Sequence, residues 1–387
     1  MASKVRYEWK SSNPDNWVLN LQYLDSRNEF VSSSSDGSLN VFSLQNLTPS
    51  PIFSIKNAHE SSINALKKID DNTIASCSTD GIKIFDLRSQ AQQPVHRLSN
   101  EKSSPFLSMD YLNKLLAGGT ELVGVDAELH IWDLRNPNEV VKSYIDSHHD
   151  DITTIKFHPT LSQYLMSGST DGYVNVYDLT QPDEDEALHQ VINYESVHSI
   201  YFTQERRISI LSHVETLSFY ELNDTNYEEN VEPQPNDLGD LRSVLADCEY
   251  VVDVNPSQGY ITYGANSKQS FNLMGFNAAN EKFETNNIIQ FPNAHGEEVV
   301  RDVLSIPNSN SILTCGEDGA IRLWDLPISI SAPTTVEVKT DDLLLIKEKL
   351  SKKEKKEKKE KKKEKKDKKE KKIKKDKKSK SKRFKPY

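Results

Sequence analysis

The residues best suited to chemistry in this chain are four consecutive polar side chains, His148, His149, Asp150 and Asp151. Imidazole and carboxylate groups are common ligands of zinc and other divalent metals, so these residue types could form a metal site. Neighbouring residues of a β-strand point to opposite faces of the sheet, however, and cannot all reach one ion. We therefore expect no metal and no other cofactor at this position.

The chain also has no common catalytic motif. It contains neither a Gly-rich phosphate loop ending in Lys-Ser or Lys-Thr nor a Gly-x-Ser-x-Gly turn that would expose a nucleophilic serine. Gly118 and Gly119 are explained more simply by a bulge or by the close approach of another segment. The sequence therefore predicts a protein that is not an enzyme.

A histidine recurs instead about 20 residues before an Asp-Gly turn, together with a hydroxyl side chain and an aromatic residue. The three sets are His59, Ser76, Asp80 and Phe85; His149, Ser167, Asp171 and Tyr177; and His295, Thr314, Asp318 and Trp324. His148 is the alternative to its neighbour in the second set. Because Asp-Gly between two alternating apolar runs is a strong hairpin signal, each set belongs to one repeated hairpin unit.

The repeated units follow one another at intervals of about 45 residues. Five turns are marked by Asp36, Asp80, Asp126, Asp171 and Asp318, and two weaker units are placed by spacing alone near positions 214 and 266. Repeats of this length built from short strands are typical of a β-propeller, and their number predicts seven blades. We expect the alternating segment 4–9 to complete the last blade, which removes the exposed edges of an open array.

These units resemble the WD-repeat family. In that family the His, Ser or Thr, Asp and Trp side chains form a hydrogen-bonded tetrad, so the resemblance implies a tetrad in each of the three sets. Phe85 and Tyr177 replace the tryptophan, and we expect their blades to be held less firmly, since phenylalanine cannot donate a hydrogen bond. The segment from Leu115 to Arg135 and the segment that begins at Asp240 resemble the WD repeat-containing protein 89 family, which implies an intracellular protein without assigned chemistry.

Charge divides the chain into an acidic body and a basic tail. From Lys347 onward, 25 Lys and Arg stand against 8 Asp and Glu, whereas the rest of the chain has 23 against 50. We predict an all-β propeller over residues 1–330, a linker with a helix start over 331–346, and a lysine-rich tail over 347–387. The three cysteines and the lack of a signal peptide or long apolar run predict a reducing compartment and no membrane contact.

The tail has too few apolar residues to form a core, although its Lys and Glu favour a partly helical or coiled-coil arm as an alternative to disorder. The candidate nuclear import signal consists of Lys374, Lys375, Lys377, Lys378, Lys380, Lys382 and Arg383. A lysine run can also bind RNA or DNA phosphates non-specifically, or can serve only to solubilise the protein. Because the tail resembles those of nucleolar ribonucleoprotein factors, we predict a nuclear or nucleolar protein with a cytoplasmic pool.

Two acidic runs of the body are candidate binding elements for a basic protein or for the chain's own tail. They lie at Asp183–Glu186 and between positions 228 and 237, and the alternative is that they form a solvated rim. We expect a peptide or a basic protein on the propeller face, and a monomer that works within a larger complex. The predicted function is a non-enzymatic scaffold in ribosome biogenesis or in chromatin-linked complexes.

A different function is suggested by two strand ends that carry an Asp-x-Arg motif in consecutive units. Paired endings of this type resemble substrate receptors of the cullin-4 ubiquitin ligase, whose two arginines contact the ligase adaptor. The resemblance makes Arg88 and Arg135 candidate adaptor contacts. The alternative is that each arginine caps its strand end or pairs with a neighbouring aspartate.

Overall fold

The structure is a computed structural model that describes residues 1–328 except residues 12, 14, 224–233 and 257. Within this part of the chain, 28 strands form seven four-stranded antiparallel sheets. The seven-bladed β-propeller predicted from the repeats is therefore confirmed. The predicted linker, the lysine-rich tail with its import signal, and most of the second acidic run lie outside the described residues.

Each blade is a meander in which consecutive strands pair. The first four blades are, in order, β2 Val18–Leu24, β3 Glu29–Ser34, β4 Leu39–Ser43 and β5 Phe53–Ile55; β6 Ala65–Asp70, β7 Thr73–Ser78, β8 Gly81–Asp86 and β9 His96–Leu98; β10 Phe106–Leu112, β11 Leu115–Thr120, β12 Ala127–Asp133 and β13 Val140–His148; and β14 Ile152–Phe157, β15 Tyr164–Ser169, β16 Tyr173–Asp178 and β17 Leu188–Asn193.

The remaining blades complete the ring. They are β18 Val197–Gln204, β19 Arg207–Ser212, β20 Thr216–Glu221 and β21 Asn236–Asp240; β22 Tyr250–Asn255, β23 Tyr260–Ala265, β24 Ser270–Asn277 and β25 Lys282–Pro292; and β26 Val300–Ser305, β27 Ser311–Gly316 and β28 Ala320–Asp325 with β1 Lys4–Lys10. Short helices, α1 Glu184–Ala187 and α2 Leu241–Val244, and single 3₁₀ turns, Asp25–Arg27 and Asn266–Lys268, lie between strands. Among the described residues, no helix combines the length and apolar character needed to cross a bilayer.

The first strands of neighbouring blades contact one another around the whole ring, including β26 of blade 7 with β2 of blade 1. These seven strands therefore surround the central channel. The apolar core is divided into seven clusters, one at each contact between neighbouring blades. No blade thus has a core of its own, and each depends on both neighbours for its burial.

Gly118 and Gly119 of β11 show how closely the blades pack. A Cβ atom on Gly118 would lie 2.6 Å from a methyl carbon of Ile82 in blade 2, and one on Gly119 would lie 2.5 Å from a methyl carbon of Ile152 in blade 4. Such distances are far below van der Waals contact. The glycine pair is therefore required by side chains that approach from the blades on both sides.

The N-terminal segment joins two blades. Strand β1 pairs with β28, with Trp9 opposite Ile321, and supplies the fourth strand of blade 7. Upstream of β1, the amino group of Met1 donates to the carbonyl of Ile288 at 2.8 Å, and the N–H of Gln290 donates to the carbonyl of Met1 at 2.7 Å. The chain therefore crosses from the outer edge of blade 6 to the outer edge of blade 7.

Trp9 anchors this segment to blade 1. Its side chain is 3% exposed, its ring centre lies 5.2 Å from that of Phe30 and 5.5 Å from that of Phe42, and its indole N–H donates to the carbonyl of Thr48 at 2.8 Å. Trp9 thus contributes to the apolar cluster between blades 7 and 1.

Replacing Trp9 by alanine is expected to lower the free energy of unfolding by about 3 to 5 kcal/mol, since it empties a buried aromatic site at the closure of the ring. Trp17 provides the matched control because it is 40% exposed, and Trp17→Ala is expected to cost about 1 kcal/mol or less. Chemical denaturation of both variants measures the difference. Equal losses would contradict the role of Trp9 in closure.

Candidate functional site

The hydrogen-bonded tetrad is complete in blade 7. The Nδ1 atom of His295 lies 2.7 Å from an oxygen of Asp318, its Nε2 atom lies 2.9 Å from the hydroxyl of Thr314, and the indole N–H of Trp324 donates to the same hydroxyl at 3.0 Å. Burial lowers the pKa of His295, which keeps the ring neutral. A neutral ring that donates from Nδ1 can accept the Thr314 proton at Nε2, so one tautomer satisfies the whole tetrad.

A charged residue strengthens the tetrad of blade 7. Arg322 donates to Asp318 at 2.7 Å and pairs with Glu8 of β1 at 2.8 Å. Burial opposes ionisation of Asp318, but its hydrogen bonds with His295 and Arg322 outweigh burial and lower its pKa to about 2. The carboxylate is therefore charged at neutral pH, and the tetrad is connected to the strand that closes the ring.

Blade 2 forms the same arrangement without the aromatic donor. His59 lies 2.5 Å from an oxygen of Asp80 and 2.7 Å from the hydroxyl of Ser76, while Phe85 is buried beside them. Lys83 donates to Asp80 at 2.5 Å and to the carbonyl of residue 58 at 2.8 Å. Lys83 is opposite the tetrad hydroxyl residue, as Arg322 is in blade 7, and supplies a link that the sequence analysis missed.

In blade 4 the alternative histidine of the second set makes the tetrad contacts. His148, not His149, lies 2.9 Å from Asp171 and 2.7 Å from the hydroxyl of Ser167. The phenol of Tyr177 lies 3.4 Å from that hydroxyl and completes the tetrad with a longer contact. His149 is 69% exposed at its side chain and pairs with Asp126 at 2.6 Å. The two histidines first considered as metal ligands thus make different contacts.

The four remaining blades join the same loop and turn with other residues. The polar pairs are Asn16 with Asp36 in blade 1, Asn100 with Glu128 in blade 3, Glu195 with Thr216 in blade 5, and Glu249 with Ser267 in blade 6. In blade 3 the carboxylate of Glu128 also contacts His130 at 2.8 Å and Lys102 at 2.8 Å. We call these seven connections the polar clasps, because each ties the loop before a blade to a hairpin of that blade.

The inner strands contribute ionisable side chains to the channel. Lys67 of β6 pairs with Asp110 of β10 at 3.1 Å, and the ammonium of Lys156 of β14 lies 4.4 Å from the ring centre of Tyr201 of β18. The chain of contacts continues from the hydroxyl of Tyr201, which donates to Asp253 of β22 at 2.9 Å. We call Lys67, Asp110, Lys156, Tyr201, Asp253 and Asp302 the channel belt.

Burial affects the charges of the channel belt. It lowers the pKa of Lys156 to about 8, and the positive charge of Lys67 acts in the same direction. Burial raises the pKa of Asp302 to about 6, although the carboxylate accepts the backbone N–H of Leu21 at 2.7 Å. The sequence analysis missed these residues because no motif contains them. The available signal was the presence of charged residues in the middle of short apolar strands that a propeller places inside.

The two candidate adaptor contacts occupy equivalent places at the ends of β8 and β12. Arg88 is 67% exposed and pairs with Asp86 at 2.6 Å, and Arg135 is 49% exposed and pairs with Asp133 at 2.8 Å. Arg242 makes the same local pair with Asp240 at 2.8 Å, before blade 6. Each candidate arginine therefore pairs with a neighbouring aspartate, which is the alternative raised from the sequence. Arg242 forms the same kind of pair at a position that the ligase resemblance did not include.

Glu184 gives the first acidic run a structural role. Glu184 of α1 accepts hydrogen bonds from the backbone N–H groups of Ile145 at 2.8 Å and Asp146 at 3.0 Å, and so fixes the helix to β13. Asp183 and Asp185 are exposed. The run is thus partly a support for blade 3 and partly an acidic surface.

Replacing Thr314 by valine is expected to lower the free energy of unfolding by about 2 to 4 kcal/mol. The change keeps the side-chain shape but leaves the buried His295 Nε2 atom and the Trp324 N–H without a partner. Thr314→Ser is the control, because it removes a methyl group and keeps the hydroxyl that bonds to His295 and Trp324. Denaturation curves compare the two, and an equal or larger loss in the control would contradict the central role of the Thr314 hydroxyl.

Comparison with known proteins agrees with this geometry. The WD domain, G-beta repeat family matches residues 139–178 and 286–325. A WD repeat-containing protein of Saccharomyces cerevisiae is 42% identical over 331 residues, which cover 84% of this chain and 82% of that protein. The WD repeat-containing protein 89 homolog of Dictyostelium discoideum is 28% identical over 314 residues, covering 78% and 82%.

A more distant similarity is found to the nuclear pore complex protein nup43 of Dictyostelium discoideum, 26% identical over 156 residues, covering 39% of this chain and 35% of that protein. The Saccharomyces cerevisiae relative combines high identity with coverage of nearly the whole propeller. Together with the seven blades and their tetrads, this similarity shows that the chain belongs to the WD-repeat family.

Proposed function

We propose that this WD-repeat protein is a non-enzymatic scaffold that binds protein partners in the nucleus or nucleolus, in ribosome biogenesis or chromatin-linked complexes. The observation that carries the proposal is the closed ring with a polar clasp in every blade. A ring fixed in this way presents its loops with little freedom, so a partner can bind without rearranging the scaffold. WD-repeat propellers generally act in this way, as platforms for other proteins.

The nuclear part of the proposal is supported by charge. The tail from Lys347 onward carries 25 basic against 8 acidic residues, which suits nuclear import and non-specific contact with nucleic acid phosphates. A distant relative is a nuclear pore complex protein, which is consistent with a nuclear location. The acidic body favours basic protein partners, since 50 acidic residues stand against 23 basic ones there.

The test is affinity purification of the full-length protein and of a form ending at Ile346, each with and without nuclease, followed by mass spectrometry. We expect partners that resist nuclease and remain on the shortened form, because the propeller supplies the binding surface. The identity of these partners distinguishes a role in ribosome biogenesis from a role in chromatin-linked complexes. Loss of every partner with the tail or with nuclease would contradict the scaffold proposal and would make the tail the binding element.

A second candidate function is that of a cullin-4 substrate receptor, and the exposed guanidinium groups of Arg88 and Arg135 on consecutive blades favour it. The test is the double variant Arg88→Ala and Arg135→Ala in a binding assay with the purified ligase adaptor. A receptor would lose binding, while Arg242→Ala, which removes the third local pair, would retain it. Absence of adaptor binding by the unmodified protein would end this candidate.

A further inference from the structure

Blade 1 has lost the bulky members of the tetrad. Register places Ser32 of β3 where Thr314 lies in blade 7, but Asn16 makes the contact with Asp36 that a histidine makes elsewhere, and Phe42 replaces the tryptophan. A cavity of about 400 Å³ lies here, bordered by β1 and β28 of blade 7 and by β3 and β4 of blade 1. Its volume is in the range of ligand pockets.

The cavity combines an apolar wall with polar groups. Trp9, Val18, Phe42 and Ile321 supply the apolar part. The polar lining includes the serines at positions 32, 34, 38 and 54 and the amide of Asn40. Such a lining suits a ligand that has one apolar group and hydrogen-bonding atoms beside it.

Two hydroxyl groups of the lining have unmet hydrogen-bonding capacity. Ser32 is 1% exposed and Ser34 is 2% exposed, and among the described residues neither side-chain hydroxyl has a hydrogen-bond partner. The small exposed area of both residues lies at the wall of the cavity, where a hydroxyl can bond to water or to a ligand. Both hydroxyls are therefore available to form hydrogen bonds with an occupant of the cavity.

The charges at the opening of the cavity indicate which class of partner fits it. Lys10 and Lys56 line the opening, both are exposed, and neither forms an ion pair within the described part of the chain. Asp36, which also borders the cavity, is held by Asn16 at 3.0 Å and by the N–H of Ser38 at 3.0 Å. Two unpaired lysines on an acidic body repel the lysine-rich tail and attract an anionic partner.

We propose that the cavity between blades 7 and 1 binds an acidic peptide segment of a protein partner. One apolar side chain enters the cavity against Trp9 and Phe42, polar atoms of the peptide bond to Ser32 and Ser34, and flanking carboxylates meet the two lysines. This inference rests on the proposed scaffold function and names the class of partner segment for one site.

The test uses fluorescently labelled pentapeptides in which Leu, Phe or Trp is flanked on each side by two Glu, with Ala at the centre as the reference. All of them carry the same charge, so contact with the basic tail contributes equally to each. Fluorescence anisotropy with the full-length protein is expected to show at least one apolar centre bound tenfold or more tightly than Ala. Peptides with Lys in place of Glu are expected to lose this preference.

Two variants test whether the preference for an apolar central residue depends on the cavity. Ser32→Val fills part of the cavity and removes an unpaired hydroxyl, so the melting temperature is expected to stay or rise while the preference disappears. The double variant Lys10→Glu with Lys56→Glu changes exposed side chains only, and it is expected to lose the preference too. The matched control is Lys4→Glu with Lys282→Glu, which is expected to keep the preference. If Ser32→Val does not fold, the double variant of the two lysines at the opening decides the result.

The inference is overturned if no apolar centre is preferred, or if the preference survives in both cavity variants. Affinity purification with the Lys10→Glu and Lys56→Glu protein separates this failure from that of the scaffold proposal. Partners that remain bound to that protein in full would overturn the cavity site and leave the scaffold function standing. Selective loss of one partner from it would support the site.

Discussion

The pairing of the N-terminal strand with β28 is the constraint on which the rest of the structure depends. All seven apolar clusters lie between two blades, so opening the ring at one contact would expose apolar surface on both sides. It would also leave β28 as an unpaired edge. Because the segment before β1 also bonds to β25, the closure holds blades 6, 7 and 1 together. Stability therefore belongs to the ring rather than to any single blade.

The polar clasps add directional contacts to the apolar packing between blades. Apolar contact between sheets is non-directional, whereas a histidine held between a carboxylate and a hydroxyl has a fixed position. Where the tetrad is complete, in blade 7, side chains fill the space between loop and hairpin. Where its bulky members are missing, in blade 1, a cavity remains. The divergence of one repeat is thus accompanied by a cavity, while the ring stays closed.

The fold was predictable because its signals are local and repeated. Asp-Gly turns marked the strongest hairpins, and even blades 5 and 6, which lack them, were found by spacing, since a closed ring requires units of similar length. The choice between His148 and His149 was not predictable in the same way. Two identical neighbours differ only in strand register, and it is His148, paired with Ala127 at the end of β13, that faces the tetrad.

Contacts outside the repeated pattern were also beyond the sequence analysis. Lys83 was an ordinary strand residue in the pattern, yet it adds a link between loop and hairpin because Asp80 and the carbonyl of residue 58 both accept hydrogen bonds from it. The sequence pattern did not single out Ser32 and Ser34, since only the packing of blade 7 against blade 1 shows that they line a cavity. Such features depend on which strands become neighbours, and a pattern within one repeat does not contain that information.

The channel belt shows why a propeller keeps charges in its interior. The half-buried pair of Lys67 and Asp110 adds little to the free energy of unfolding once the cost of desolvating both charges is counted. Each contact of the belt joins two blades, as the Tyr201 hydroxyl does with Asp253 and as Asp302 does with the N–H of Leu21. Hydrogen bonds require a set distance and angle, which apolar clusters do not. We infer that the belt fixes the register of neighbouring blades, while the apolar clusters supply most of the stabilisation.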